Sequence, residues 1–402
     1  MTESASGSPP REGSPLEVLG AFFALGLRSF GGPVAHIGYF HEAFVHRRRW
    51  VDEATFGHLV ALSQLLPGPA SSQVGMGLGA LRAGFTGALA AWIGFTAPSA
   101  LLMILFGLGV GRVELPGSSG LLHGLELAAL AVVAFAVWQM ARRHCRERLQ
   151  IALALFAMTL VLSLPGVAGQ LSAIALGALA GAAFFPADAP TREAGTAVGG
   201  GRLPALVRLL LFAGLLLSLP LLARALGSPL AVLVDAFYRA GSLIFGGGHV
   251  VLPLLRGEVV APGWVAPDLF VAGYGAAQAL PGPLLSFAAY LGMVAEPGGG
   301  IAGALAVLLA IFLPSLLLVT GALPFLARLR RHARIGAALS GVNAAVVGLL
   351  LAALYTPVWT SAVAGPTGFA VAAIAFALIA VWRLPAWAVV GLCALAGLLL
   401  DL

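Results

Sequence analysis

The helix-breaking triplet Pro-Gly-Pro occurs twice in this chain, in "QLLPGPASS" (residues 64–72) and in "QALPGPLLS" (278–286), each time within segments apolar enough to lie inside a membrane. Proline lacks the backbone donor and clashes with the preceding turn, so neither segment can pass through its triplet as one helix. Freed N–H and C=O groups are costly in lipid, and irregular backbone at membrane depth is tolerated only where protein buries it or it lines a cavity. The rest of the chain narrows the choice further: 60% of its 402 residues are hydrophobic, 9% are charged, and apolar runs recur from about residue 16 onward. That composition specifies an all-α polytopic membrane protein.

The triplets belong to a duplication. "SFGGP" (29–33) answers to "IFGGGH" (244–249), and Trp50 precedes Pro67 by the same 17 residues that separate Trp264 from Pro281. Phe56 pairs with Phe270, Gln64 with Gln278, "GFTAPSALL" (94–102) with "AIFLPSLLL" (310–318), and Glu126 falls opposite Asn343. In membrane transporters such repeats often meet at the binding site. The chain divides into a disordered tail (1–15), a first membrane repeat (16–185), a cytoplasmic linker (186–202), a connecting transmembrane helix (203–225) and a second repeat (229–402). The tail lacks the basic n-region and apolar core of a cleavable signal, so the first membrane segment is expected to act as its own insertion signal.

Stretches 84–111, 121–141, 203–225, 299–327 and 335–355 reach the ~20 residues that a crossing needs. Stretches 149–164, 168–185, 367–381 and 384–400 are short spans. Residues 52–66 and 70–82 are too short to cross comfortably and read as a re-entrant hairpin of two half-helices. So do 16–30 with 33–47, and the copies at 231–262 and 267–295. The arginine-rich "HRRRW" (46–50), "RRHCRER" (142–148) and "RLRRHAR" (328–334) mark cytoplasmic loops by the positive-inside rule. Their equivalents, 256–264 and 112–120, are charge-balanced, which predicts two repeats of inverted topology. Nine spans, four hairpins, a cytoplasmic N-terminus and a periplasmic C-terminus follow. The competing plan has 16–33 spanning and 35–49 on the surface.

At each break a second half-helix starts after glycine or with proline at its first position. Its unpaired N–H groups and dipole favour an oxyanion. The candidate ligands are the bare backbone at Gly31, Gly32, Gly68, Gly246, Gly247, Gly248 and Gly282, the hydroxyls of Ser71, Ser72 and Ser286, the amides of Gln64 and Gln278, and the cations Arg239 and Arg28. Pro33, Pro67, Pro69, Pro281 and Pro283 make the breaks. Each has a plainer reading: glycine and proline for packing, serine bonding back to its own helix, arginine snorkelling to the interface, and Asp235 neutralising Arg239 at i, i+4. Proton coupling needs a titratable group near the path, for which Glu42, Glu258, His36, His249 and Glu126 are candidates. His41 and His46 read as interfacial. Cys145 and Cys393 form neither a disulfide framework nor a metal site, and no phosphate-binding loop or nucleophile elbow occurs, so no cofactor, metal or enzyme activity is expected. The net charge of +6 comes from arginines beside the spans, a pattern of topology rather than nucleic-acid binding.

Taken together, "FGGPVAHIGYF", "QLLPGPASSQ", "RAGSLIFGGGHVVLPLL", "GYGAAQALPGP" and "GVNAAVVGLLLAALYTPVW" resemble the chromate ion transporter family in its long two-domain form. The resemblance covers nearly the whole chain after residue 16. It implies efflux of chromate from the bacterial cytoplasm, resistance as the outcome, and sulfate as the structural analogue. The expected mechanism is that of a secondary transporter, an antiporter, holding its anion between half-helix N-termini near the midplane. The residues alone leave open a sulfate or oxyanion importer or exchanger, an anion channel, and a membrane-embedded enzyme acting on lipid-linked phosphates, which would need a nucleophile or metal cluster. The lipid bilayer is the one obligatory partner, and a homodimer is compatible with this plan.

Overall fold

Glycine and proline decide where helices stop in this chain, and the apolar runs between them decide how far each extends. The computed structural model describes residues 13–110, 118–164, 167–185, 201–244, 251–325, 333–363 and 365–400, and is helical without strands over these residues. Helix α1 (Pro15–Gly26) starts where the Ser14 hydroxyl accepts the Glu17 N–H at 3.1 Å, with proline at its first position. Such a cap contributes about 1 kcal/mol. Its 12 residues rise about 18 Å, short of the ~30 Å hydrocarbon core, so α1 is not a span. The chain turns through residues 27–31, with Gly31 at φ 100, into α2 (Gly32–His41), which unwinds to a π-helix over Glu42–Arg47. Helix α3 (Glu53–Leu65) is capped by Asp52, whose carboxylate accepts the Thr55 N–H at 2.7 Å. After the first triplet, α4 (Ala70–Val110) is broken at Ala83 and Gly84 (φ 64), so that a short arm folds back along a longer one.

The next helices are α5 (Ser118–His144), α6 (Arg148–Ser163), α7 (Val167–Phe184) and α8 (Arg202–Leu226). The second half repeats the scheme. It comprises α9 (Pro229–Ser242), α10 (Val251–Leu255) continued by a π-helix (Arg256–Val260), α11 (Pro267–Ala279), α12 (Phe287–Val294), α13 (Ile301–Ala322), α14 (Ala333–Ala353) continued by a π-helix (Leu354–Trp359), α15 (Pro366–Ala380) and α16 (Ala386–Leu400). Among the described residues, five helical stretches are long and apolar enough to cross a membrane: Ala70–Val110, Gly120–His144, Arg202–Leu226, Ile301–Phe325 and Gly336–Ala362. With the shorter apolar helices they make an all-α polytopic membrane protein. Helix α8 is the most peripheral of the five, with Leu203, Leu210, Leu217 and Leu221 turned outward.

The two halves pack by the same contacts. Gly26 lies against the Phe95 carbonyl as Gly241 lies against that of Ile311, and Gly79 faces Gly87 as Gly292 faces Gly303. At each of these a Cβ would collide with the opposing helix. The halves also interlock, because α5 packs on α15 and α16 while α14 packs on α6 and α7. Small residues permit it: Gly120 and Gly124 meet Gly397 and Cys393, just as Ala337 and Gly341 meet Gly181 and Gly177. Close backbone approach of this kind drives helix association, together with interhelical hydrogen bonds and lipid entropy, where lipid removes the hydrophobic drive.

Candidate functional site

The broken helices are tied to one another across the two halves. The N–H of Gly68 (φ 130) donates to the Ile244 carbonyl at 2.6 Å, and the N–H of Gly282 (φ 96) donates to the Ser29 carbonyl at 2.9 Å. Ile244 and Ser29 hold the same place in the two Gly-Gly motifs. Each triplet also rests on a serine of the other half. A Cβ on Gly282 would stand 2.9 Å from Ser99 Oγ and 3.2 Å from the Phe95 carbonyl oxygen, and one on Gly68 would run into Ser315 Oγ.

Buried polar groups surround these contacts. His36, 1% exposed, donates from Nε2 to the Ser29 carbonyl at 3.1 Å, and its Nδ1 lies 3.4 Å from Ser71 Oγ. With Nε2 carrying the proton, Nδ1 of the neutral ring accepts from the Ser71 hydroxyl. The Ser29 carbonyl therefore receives both His36 and Gly282. Gln73 donates to the Pro67 carbonyl at 2.6 Å. The hydroxyls of Ser29, Ser72, Thr96 and Ser315 and the Gln73 side-chain oxygen are buried with no hydrogen-bond partner among the described residues. Buried polar atoms nearly always find a partner, so this surplus marks a region suited to water or a polar ligand.

A cavity of about 390 Å³ opens beside this region, lined by Gly31, Gly32, Gln278 and Gly282 together with Gln139 of α5 and Arg383 of the α15–α16 turn. It unites the hairpin tip of the first half with the triplet of the second. Gln278 Nε2 is buried and has no partner among the described residues. Arg383 is exposed, takes a left-handed backbone (φ 57), and makes no ion pair among the described residues. Non-glycine residues adopt that conformation seldom, and such strain gathers at functional sites. A free guanidinium, two amides and bare backbone form a donor set without a carboxylate, which suits an oxyanion.

The other expected residues scatter. Ser71, Ser72 and Ser286 are buried beside the corners, whereas Gln64 and Arg28 are exposed and do not line the cavity. Pro33, Pro67, Pro69, Pro281 and Pro283 occupy the bends. Gly246, Gly247, Gly248 and His249 lie outside the described residues. Arg239, expected to face the anion, is engaged otherwise: it bonds Asp235 and Glu258, each at 3.1 Å, and one cation between two carboxylates has no net positive charge to offer. Glu258 is thereby a member of an ion triad. Glu42 bonds Arg47 at 2.9 Å on an exposed hairpin end, and Glu126 is buried in α5 with His123 Nδ1 3.8 Å away. His41 bonds Glu53 at 2.8 Å and lies edge-on to His46. Sequence reasoning missed Gln139 and Arg383. A solitary arginine in a short inter-span turn reads as a topology marker, and that it has no acidic partner among the described residues emerges only from the fold.

A family model for chromate transporters matches the chain twice, over residues 16–183 and 231–398. The chromate transport protein of Pseudomonas aeruginosa is 29% identical, over 87% of this chain and 82% of its own length. The chromate transport protein of Cupriavidus metallidurans is 27% identical, over 86% of this chain and 83% of its own. A probable chromate transport protein of Synechococcus elongatus is 26% identical, over 83% and 82%. No solved structure matches the chain.

Proposed function

The chain belongs to the chromate transporter family, and we propose that it exports chromate from the bacterial cytoplasm as a secondary transporter, through the cavity between Gly31 and Gly282. The observation that carries this reading is the meeting, in one cavity, of a bare-backbone corner from each half with an arginine that no carboxylate among the described residues neutralises. Arg383 draws the dianion in by charge. Beyond it, the amides of Gln139 and Gln278 and the N-terminus of α2 at Gly32 offer N–H donors to the oxygens, and glycine at 31, 32 and 282 keeps side chains out of the way. The charge-balanced and arginine-rich loops support an inverted arrangement of the repeats in the inner membrane, with Arg383 at the cytoplasmic mouth. Alternating access is then movement of one repeat against the other, with the backbone bonds of Gly68 and Gly282 breaking and re-forming. His36 is the titratable group bonded into that contact, and it serves as the coupling residue. Sulfate, of the same shape and charge, competes for the same donors.

Arg383→Gln tests the reading. Losing one charge-assisted contact of about 1.5 kcal/mol weakens binding roughly tenfold. Initial uptake rates in inverted vesicles should give a half-saturating chromate concentration raised by that factor, with the maximal rate largely kept. An unchanged half-saturation would remove Arg383 and this cavity from the path.

A further inference from the structure

A second cavity, of about 410 Å³, is lined by Val161, Gln170, Arg256, Ala352, Ala353 and Thr356. One of its walls is the repeat counterpart of a wall of the first cavity. Ala352 and Ala353 of α14 and Thr356 of the π-helix that continues it stand at one constant sequence offset from Phe135, Ala136 and Gln139 of α5, which line the cavity with Arg383. Gln170 corresponds to Ala386 of that cavity at the offset that relates Gly177 and Gly181 to Cys393 and Gly397. Equivalent walls in inverted halves face opposite sides of the membrane.

The second cavity carries its own polar features. Two π-helical segments converge on it: Arg256 opens one, and Thr356, with φ −127 and ψ 114, is the non-helical residue of the other. Such bulges are found frequently at functional positions. Arg256 is half-buried, and among the described residues its Nε has no partner and it makes no ion pair, since neighbouring Glu258 is bonded to Arg239. A part-buried guanidinium without a counter-charge is costly unless an anion arrives. Gln170, 4% exposed, donates to the Pro253 carbonyl at 2.6 Å and so fixes the helical turn that presents Arg256.

We propose that Arg256 and Thr356, positioned by Gln170, form a second site for a tetrahedral oxyanion, on the membrane face opposite Arg383, where the transported ion is released. The proposal rests on the transport reading above. Arginine presents a planar fork that matches two oxygens of such an ion, and the Thr356 hydroxyl supplies a further donor.

Cysteine protection in membrane vesicles tests it. In the full chain carrying Cys145→Ser, with Cys393 buried, Ala261→Cys reports on this cavity and Ala386→Cys on the first. Chromate oxidises thiols, so sulfate is the probe, and the label is a membrane-impermeant maleimide. The two cysteines should label from opposite faces, and sulfate should slow the labelling of Ala261→Cys. Adding Arg256→Gln should raise the sulfate concentration for half protection about tenfold, and Arg256→Lys should raise it less. Labelling of Ala261→Cys that ignores sulfate, or that proceeds from the same face as Ala386→Cys, overturns the proposal. Chromate flux by the unsubstituted protein in the same vesicles keeps the two ideas apart. Flux without protection overturns the second site alone, while protection that depends on Arg256 without flux supports the site and overturns the transport reading.

Discussion

Gly282→Val is expected to abolish the proposed chromate efflux while the protein still accumulates in the membrane. Gly282 sits at φ 96, a region that a β-branched residue does not enter without strain. The new Cβ would stand 2.9 Å from Ser99 Oγ and 3.2 Å from the Phe95 carbonyl oxygen, so the corner has to shift. A left-handed backbone costs an L-residue about 1–2 kcal/mol, and overpacking adds about 1–3 kcal/mol. The sum, about 2–5 kcal/mol, does not exceed the ~5–15 kcal/mol that holds a typical protein folded, so most molecules stay folded. Transport is less tolerant, because the displaced N–H is the one that bonds the Ser29 carbonyl and its corner lines the cavity. Efflux is read from chromate retained by cells and membrane content by immunoblot; Gly282→Ala should fall between. Normal efflux by the valine variant would exclude this corner from the path.

Arg239→Gln, by contrast, should act on folding. Asp235 and Glu258 are almost fully buried at the side chain, 7% and 10% exposed, and both lean on the one guanidinium. Removing the cation of a buried cluster costs about 3–5 kcal/mol, because unpaired charge is left behind. We expect a large fall in monodisperse protein on size exclusion in detergent and a lower Tm. Glu258→Gln alone keeps the Asp235–Arg239 pair and should be mild, and combining it with Arg239→Gln should recover part of the loss. A normal yield of Arg239→Gln with weakened chromate affinity would return Arg239 to the anion path.

The helix breaks were legible because their cause is local. Proline at 67 and 69 and glycine at 31 dictate backbone geometry whatever surrounds them, and α3 ends at Leu65 and α2 begins at Gly32 as that chemistry requires. The duplication likewise needed only letters. What the letters withheld was partnership between distant segments. That α5 packs on α16 rather than on its own repeat depends on the fit of Gly120 and Gly124 to Gly397 and Cys393, although the four-residue spacing of small residues on α5, α7, α14 and α16 is a signal that could have raised it. Arg239 was read with Asp235 because i, i+4 is visible in one dimension, whereas Glu258 arrives from the other arm of the hairpin. The pairing of Gly68 with Ile244 and of Gly282 with Ser29 joins residues far apart in sequence and had no local cue.

Inverted membrane vesicles containing the protein test the account most directly, with chromate outside and the pH gradient and membrane potential imposed separately. The account predicts chromate accumulation well above that of vesicles lacking the protein, driven by an imposed gradient, competed by excess sulfate and absent with Gly282→Val. Accumulation no greater than in vesicles lacking the protein, or uptake seen only in right-side-out vesicles, would contradict it.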